Sequence, residues 1–383
     1  MDAPPGGLPL TGLTVIEIGQ ALAGPLAGVV LADMGADVIK VEKPEGGDDA
    51  RLWGPPFGPD GVTSLYFHGQ NRSKRSITLD LKKPEDVAAL HRLCETADIL
   101  IQNLRPGVVE EIGIGPETML ERHPRLIYCS IWAFGFEGPL KMKPGFDPLL
   151  QAYGGMMSVT GQPDGPPTFC GASINDKATG LFITIGALAA LRWRDRTGQG
   201  CLVDGSLFET AAFWVEGQIN NHLATGEIPR RHGTGAVVIV PYQIFATADR
   251  PLCLAAGNDR FFARTAQVMG HPEWSRDPRF ATGSQRVRNK AALIPLMEAV
   301  FLTRPRDAWL SDLDAVGVPS GPVNDIAEVT ASPQMAAVDL IHPLPGGGPR
   351  VVGLPLSFNR RRPRARSDSP RLGQHNRDIL GRD

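Results

Sequence analysis

The chain has 383 residues, 42% apolar and 21% charged, with a formal net charge of −2, which is enough to bury a large core and divide into two domains. So near-neutral a balance gives no reason to expect nucleic acid or an anionic membrane as partner. Cys94, Cys129, Cys170, Cys201 and Cys253 are scattered, with no CxxC or Cys/His cluster, which argues against a disulfide framework and against a bound metal. The opening MDAPPGGLPLTG lacks a basic n-region and an apolar h-region, so no secretory signal is read and the cytoplasm is the expected compartment.

In chain order, residues 13–18 (LTVIEI) form a β-branched apolar run that predicts a strand. Pro25 suits the first turn of a helix reaching Met34, and residues 36–42 (ADVIKVE) predict the second strand. Residues 75–81, 98–103 and 125–131 continue the strand series, with helices near 84–96 and 116–122, and residues 201–206 (CLVDGS) add a sixth strand. Strands alternating with helices predict an α/β fold with a parallel sheet covered on both faces. After Gly226 the texture changes: residues 237–259 read as a hairpin turning near Ala248 and Asp249, followed by short helices, which predicts a smaller α+β domain. The expected division is a large Rossmann-like domain of residues 1–220 with 330–383 and a small domain of residues 221–329. Only residues 360–371 (RRRPRARSDSPR) are compositionally biased.

Residues 164–191 (DGPPTFCGASINDKATGLFITIGALAAL) set one carboxylate, Asp176, at the mouth of an apolar helix. From 178 to 191 the residues are apolar on nearly every face, as in a helix buried within a large protein. At about 14 residues, broken by Gly180 and Gly186, this run reads as too short for a bilayer span, which needs roughly 20. Locally, Asp176 has two readings: a helix N-cap, or a nucleophile at the edge of the core.

The GxxxxDxxxG form around Asp176 resembles the active-site region of the class III CoA-transferases, the formyl-CoA and carnitine CoA-transferase family. Five further blocks resemble that family in the same order and cover nearly the whole chain: residues 12–51, 71–85 (NRSKRSITLDLKKPE), 98–114 (DILIQNLRPGVVEEIGI), 144–155 (PGFDPLLQAYGG) and 317–329 (GVPSGPVNDIAEV). The resemblance implies that Asp176 is the acyl acceptor. It places Lys43, Leu79, Lys82 and Asn103 on coenzyme A, with Leu104 and Arg105 in the same turn as Asn103 and Phe146 bordering the thioester. It also implies a glycine-bearing loop near the carboxylate, best matched by Gly233 and Gly235 in HGTGAVV (residues 232–238), whose backbone N–H groups stabilise an oxyanion. The chain departs from the formate-specific members in having Leu22 where they carry Gln, and from some members in having Glu111 where they carry a basic residue.

Two rivals are weighed. An acidic residue closing the second strand, Glu42, is what a dinucleotide fold places on ribose, but the glycines here are spaced GxxxxGxxxG (Gly19, Gly24, Gly28) and GxGxxG is absent. The polyanionic CoA instead demands several cations, for which Lys43, Arg51, Arg72, Lys74, Arg75, Lys82 and Arg105 are candidates. An acyl-CoA racemase or epimerase, the alternative function, works at the α-carbon with a histidine in a GHD-like stretch; here the stretch is GFD, with Phe146 before Asp147. Asp147 itself reads as a cleft residue or a helix cap.

The expected activity is therefore transfer of CoA from an acyl-CoA, succinyl-CoA being one candidate, to a free carboxylic acid through covalent aspartyl intermediates. CoA thioester is substrate rather than a permanently bound cofactor. Trp132, Phe134, Phe136, Tyr153, Tyr242 and Phe245 are candidate acyl-side neighbours, and Arg230, Arg231 or His232 a candidate grip on a second carboxylate. The resemblance further implies an interlocked homodimer whose C-terminal segments return to the large domain.

Overall fold

The computed structural model describes residues 7–382; Met1–Gly6 of the opening segment read for a leader lie outside them. The chain alternates β1 (Thr14–Ile18), α1 (Ala23–Asp33), β2 (Asp37–Glu42), α2 (Leu65–Asn71), β3 (Lys74–Thr78), α3 (Pro84–Cys94) and β4 (Ile99–Gln102). Next come α4 (Val108–Glu111), α5 (Pro116–Arg122) and β5 (Ile127–Trp132). After α6 (Asp147–Tyr153), α7 (Met156–Val159) and the long α8 (Ile174–Thr197), β6 (Leu202–Ser206) completes a parallel sheet in the order β3-β2-β1-β4-β5-β6. All six predicted strands form, each within a few residues of its expected bounds; β1, β2, β4 and β5 are mainly apolar runs buried on both faces, whereas β3 (KRSIT) and β6 (LVDGS) carry polar residues and β6 is largely half-exposed. Along β1, Val15 packs into the cluster shared with α1 and α8, while Ile16 and Ile18 pack into the opposite cluster with α3, as the two-residue period requires.

The order reverses between β1 and β4, and at such a switch point the loops leaving the carboxyl ends of the two strands part to open a crevice. The outer edge of β3 is not left bare. His375 N–H donates to the Ser76 carbonyl while its Nδ1 accepts from Ser76 N–H, and Asn376 Oδ1 accepts from Thr78 N–H. The C-terminal segment thus pairs with backbone groups that would otherwise be a free edge. The biased tail is a strap: Arg366 donates to the Ala32 and Ala36 carbonyls, Arg362 to that of Leu354, and Arg364 pairs with Asp339.

Helix α8 differs from its sequence reading in two ways. It runs 24 residues and is long and apolar enough, by length and composition alone, to cross a bilayer, so the shortness inferred from residues 178–191 does not hold. Half of its apolar window is nonetheless buried against the protein. An added Cβ on Gly180 would come within 2.6 Å of the Ala23 carbonyl, so glycine is what lets α8 close on α1. Nor is it buried on every face: Leu181, Phe182, Ile185 and Trp193 are exposed on the single chain.

Two compact units emerge, residues 1–156, 169–224 and 334–383 forming the larger and 157–168 with 225–333 the smaller. The smaller has its own core around Phe245, Phe262, Met297 and Trp309, built on an antiparallel sheet of β7 (Tyr242–Phe245), β8 (Leu252–Ala255) and β9 (Ser320–Pro322). The predicted hairpin is β7 and β8, with Ala248 and Asp249 in its turn. Residues 157–168, which the linear reading gave to the large domain, join the smaller unit because Arg231 donates to the Gln162 and Gly165 carbonyls and Gly233 N–H to that of Gly161.

Candidate active site

A cleft of about 1140 Å³ opens in the larger unit at the carboxyl ends of β1, β4 and β5. Asp176, Asn103, Leu104, Arg105 and Phe146 all line it. Asp176 is not the N-cap of the first local reading: it is the third residue of α8, and Ser173 holds the cap position at φ 36° without a side-chain cap bond. The capping carboxylate is that of Asp147, whose Oδ2 accepts from the N–H groups of Asn175 (2.7 Å) and Asp176 (3.1 Å). Asp176's own half-buried carboxylate has no hydrogen-bond partner among the described residues. Burial, and then the charge of Asp147, raise its pKa to about 7. Phe146 is 70% exposed, which settles it as cleft wall rather than core.

The loop after β1 is positioned by buried charge. Lys40, fully buried, meets Glu17 Oε1 at 2.9 Å and Asp48 Oδ2 at 3.0 Å and donates to the Gly19 carbonyl at 2.6 Å. Burial alone lowers an ammonium pKa; here the Glu17 and Asp48 carboxylates more than reverse it, and Lys40 stays charged. Asp48 Oδ1 accepts from Ala21 N–H at 3.1 Å, holding Ala21 at φ 62°. Lys74 meets Glu17 Oε2 at 2.7 Å, and burial lowers it to about 8. The Glu17 carboxylate occupies the space a Cβ on Gly28 would need, 1.8 Å from Oε2, which explains one of the three glycines in this region. Across the switch point, the Asn103 amide closes a two-bond clasp on Gln20, accepting from its N–H and donating to its carbonyl, both at 2.8 Å.

Of the seven candidate phosphate cations, four are committed elsewhere. Arg51 is bidentate on Glu42, Arg72 pairs with Asp33, Lys74 with Glu17 and Arg75 with Asp37. Glu42, fully engaged with Arg51, Ser76 and the Asp48 N–H, is a structural anchor and not a ribose ligand. Lys43 forms an exposed pair with Asp49, Lys82 is exposed, and Leu79 is buried, its N–H donating to Glu42; none of the three lines the cleft, though each follows the carboxyl end of β2 or β3. Arg105 is exposed in the cleft wall with no ion pair among the described residues.

In the smaller unit, Gly233 sits at φ 67° with its N–H already donated to Gly161, so it is not a free oxyanion donor. Gly235 N–H carries no hydrogen bond among the described residues. Of the acyl-side candidates, Trp132 lines the cleft, its indole N–H fixed by Asp204 at 2.8 Å. Phe134 is buried, packed by Tyr153 and Phe208, and Phe245 is core of the smaller unit. Arg231 is spent on backbone carbonyls. Sequence reading missed Trp53, Tyr66 and Met142, which line the cleft. They lie in a long connection, a short helix and a loop, where no hydrophobic period exists to flag them.

Residues 10–376 match CoA-transferase family III. The chain is 39% identical to the succinate–glutarate CoA-transferase of Agrobacterium fabrum, over 99% of this chain and 96% of that one. It is 38% identical to the acetyl-CoA:oxalate CoA-transferase of Acetobacter aceti, over 93% and 90%. The crystal structure of a CAIB/BAIF family protein from Brucella suis superposes with a TM-score of 0.88 at 40% identity, covering 98% of this chain and 99% of that one. The chain belongs to CoA-transferase family III, enzymes that move coenzyme A from one carboxylic acid to another.

Proposed function

We propose that Asp176 accepts the acyl group covalently. A carboxylate oxygen attacks the thioester carbonyl, the C–S bond breaks, and CoA leaves as the thiolate, giving a mixed aspartyl anhydride. The thiolate then attacks the aspartyl carbonyl carbon and expels the donor acid, leaving an aspartyl-CoA thioester; the acceptor acid completes exchange through the same steps reversed. Holding the thiolate beside the anhydride is what makes the second step faster than hydrolysis. The observation that carries this reading is a half-buried, unbonded carboxylate with a pKa raised to about 7, facing a cleft that also presents Arg105 and Phe146. A weakly acidic carboxyl is a stronger nucleophile than a surface aspartate.

Arg105 is assigned to the nucleotide's phosphates, Lys43, Leu79 and Lys82 to its distal parts, and Asn103 to shaping the loop CoA crosses rather than to a free amide contact. Of the two glycines that the resemblance implies as oxyanion donors, Gly235 keeps an unengaged N–H among the described residues, while that of Gly233 is engaged. The substrate class is dicarboxylate: the relatives named for succinate, glutarate and oxalate support it. A homodimer is assigned as the working form, supported by exposed apolar side chains on α8 and, at Phe213, Trp214, Ile219 and Leu223, on the two helices after β6. Racemisation is disfavoured, since no histidine lines the cleft among the described residues.

The test is incubation with succinyl-CoA, acetyl-CoA and oxalyl-CoA, hydroxylamine trapping and peptide mass spectrometry on wild type and Asp176→Ala. A hydroxamate on Asp176, absent from the variant together with at least about a thousandfold loss of transfer, is expected. Turnover without any adduct from any donor would sink the covalent reading.

A further inference from the structure

Asp147 is an acidic group that another helix holds against the first turn of α8, and its side chain is almost entirely buried. N-terminal capping ordinarily comes from the residue just before the helix. Here Ser173 makes no side-chain cap and the cap arrives from α6. Its orientation is locked in turn: Gln151 donates to Asp147 Oδ1 and to the Cys170 carbonyl (3.1 Å) while accepting from Cys170 N–H (2.8 Å). Asp147 thereby consumes two N–H groups at the positive end of α8 that would otherwise favour a charge on Asp176.

We propose that Asp147 is a positioning residue for the acyl acceptor: it fixes the backbone of Asp176, removes nearby donors and faces it with a second negative charge, keeping that carboxylate basic. This role rests on Asp176 being the acyl acceptor. The upward shift of Asp176, from burial and then Asp147, accords with it. The other titratable groups of the cleft are Asp49, Tyr66, Arg105 and Lys143; Tyr66 is itself pushed up by burial and by the charges of Asp176, Asp48 and Asp147. Of the acids on elements packed against α8, Asp33 of α1 pairs with Arg72, Asp204 of β6 with Trp132, and Glu209 with Ser206. Lys177, beside Asp176 in α8, is exposed.

Asp147→Asn keeps the size and an oxygen that accepts from the α8 N–H groups, but removes the charge. Losing a neighbouring negative charge lets Asp176 ionise at lower pH, so the acidic limb of kcat/KM moves down by about one unit. Above the limb kcat falls about tenfold, because the nucleophile is less basic, while KM for acyl-CoA stays within about twofold. The two profiles therefore lie about tenfold apart above the limb and converge below it. A folded variant whose limb stays at the wild-type pH overturns the proposal and leaves Asp147 a helix cap. Should Asp147→Asn not fold, Gln151→Ala unlocks Asp147 instead: a lowered kcat at unchanged KM supports the role and an unchanged kcat overturns it. Trapping on wild type separates the layers, since a missing Asp176 adduct overturns the parent reading, whereas an adduct with an unmoved limb overturns only the role of Asp147.

Discussion

Two groups of charges in the larger unit are built on opposite principles. Beneath β1–β3, Glu17, Lys40, Asp48, Lys74, Glu42 and Arg51 are all buried, and each carboxylate lies within 3.0 Å of a cation. At the mouth of α8, Asp147 and Asp176 carry like charge with no cation bonded to either. Where charges are matched, burial yields a rigid scaffold that holds the Gly19–Leu22 loop. Where they are not, the cost appears as a shifted pKa, and a group held away from its preferred ionisation is one poised to react.

The comparison breaks most visibly in the scaffold. Lys40→Met leaves Glu17 and Asp48 facing each other without their shared cation, and unpaired buried charge costs about 3–5 kcal/mol. Denaturant unfolding is expected to show that loss at pH 7, and a variant as stable as wild type would mean the cluster is not the anchor of the loop.

The cleft predicts the reverse sign. Asp176 has a native pKa raised to about 7, above the value of about 4 in the unfolded chain, so the native state binds the extra proton between those values and stability falls as pH rises through that window. Asp176→Asn removes this penalty. Allowing for solvent screening of a half-buried group, it is expected to be about 1–2 kcal/mol more stable than wild type at pH 8 and indistinguishable near pH 4. Calorimetric melting at the two pH values measures it; equal differences at both would show that the carboxylate is not destabilised.

The smallest effect concerns the nucleotide. Arg105→Ala is expected to raise KM for acyl-CoA by about three- to tenfold with kcat unchanged, the signature of uniform binding lost. Arg75→Ala, which removes only a pair with Asp37, leaves KM as it was. Equal KM changes in the two would erase the distinction between the free and the committed cations.

Much of this architecture is legible in the sequence, for a physical reason: strands of a parallel sheet buried on both faces are mainly apolar runs, so β1, β2, β4 and β5 announce themselves. Asp176 is visible because a carboxylate beside so apolar a helix is conspicuous. What sequence could not settle is which polar group meets which. Lys74 and Arg72 look like phosphate ligands until the fold places Glu17 and Asp33 against them, and Asp176 looks like a cap until Asp147, 29 residues earlier, takes that place. Trp53, Tyr66 and Met142 reach the cleft from segments without period. Periodicity is a local property of the chain and decides the elements. Pairing between buried charges joins residues from different elements, as between Arg72 and Asp33 or Lys74 and Glu17, and only the tertiary structure decides it, because burial makes the partner of each charge matter and no local pattern names that partner.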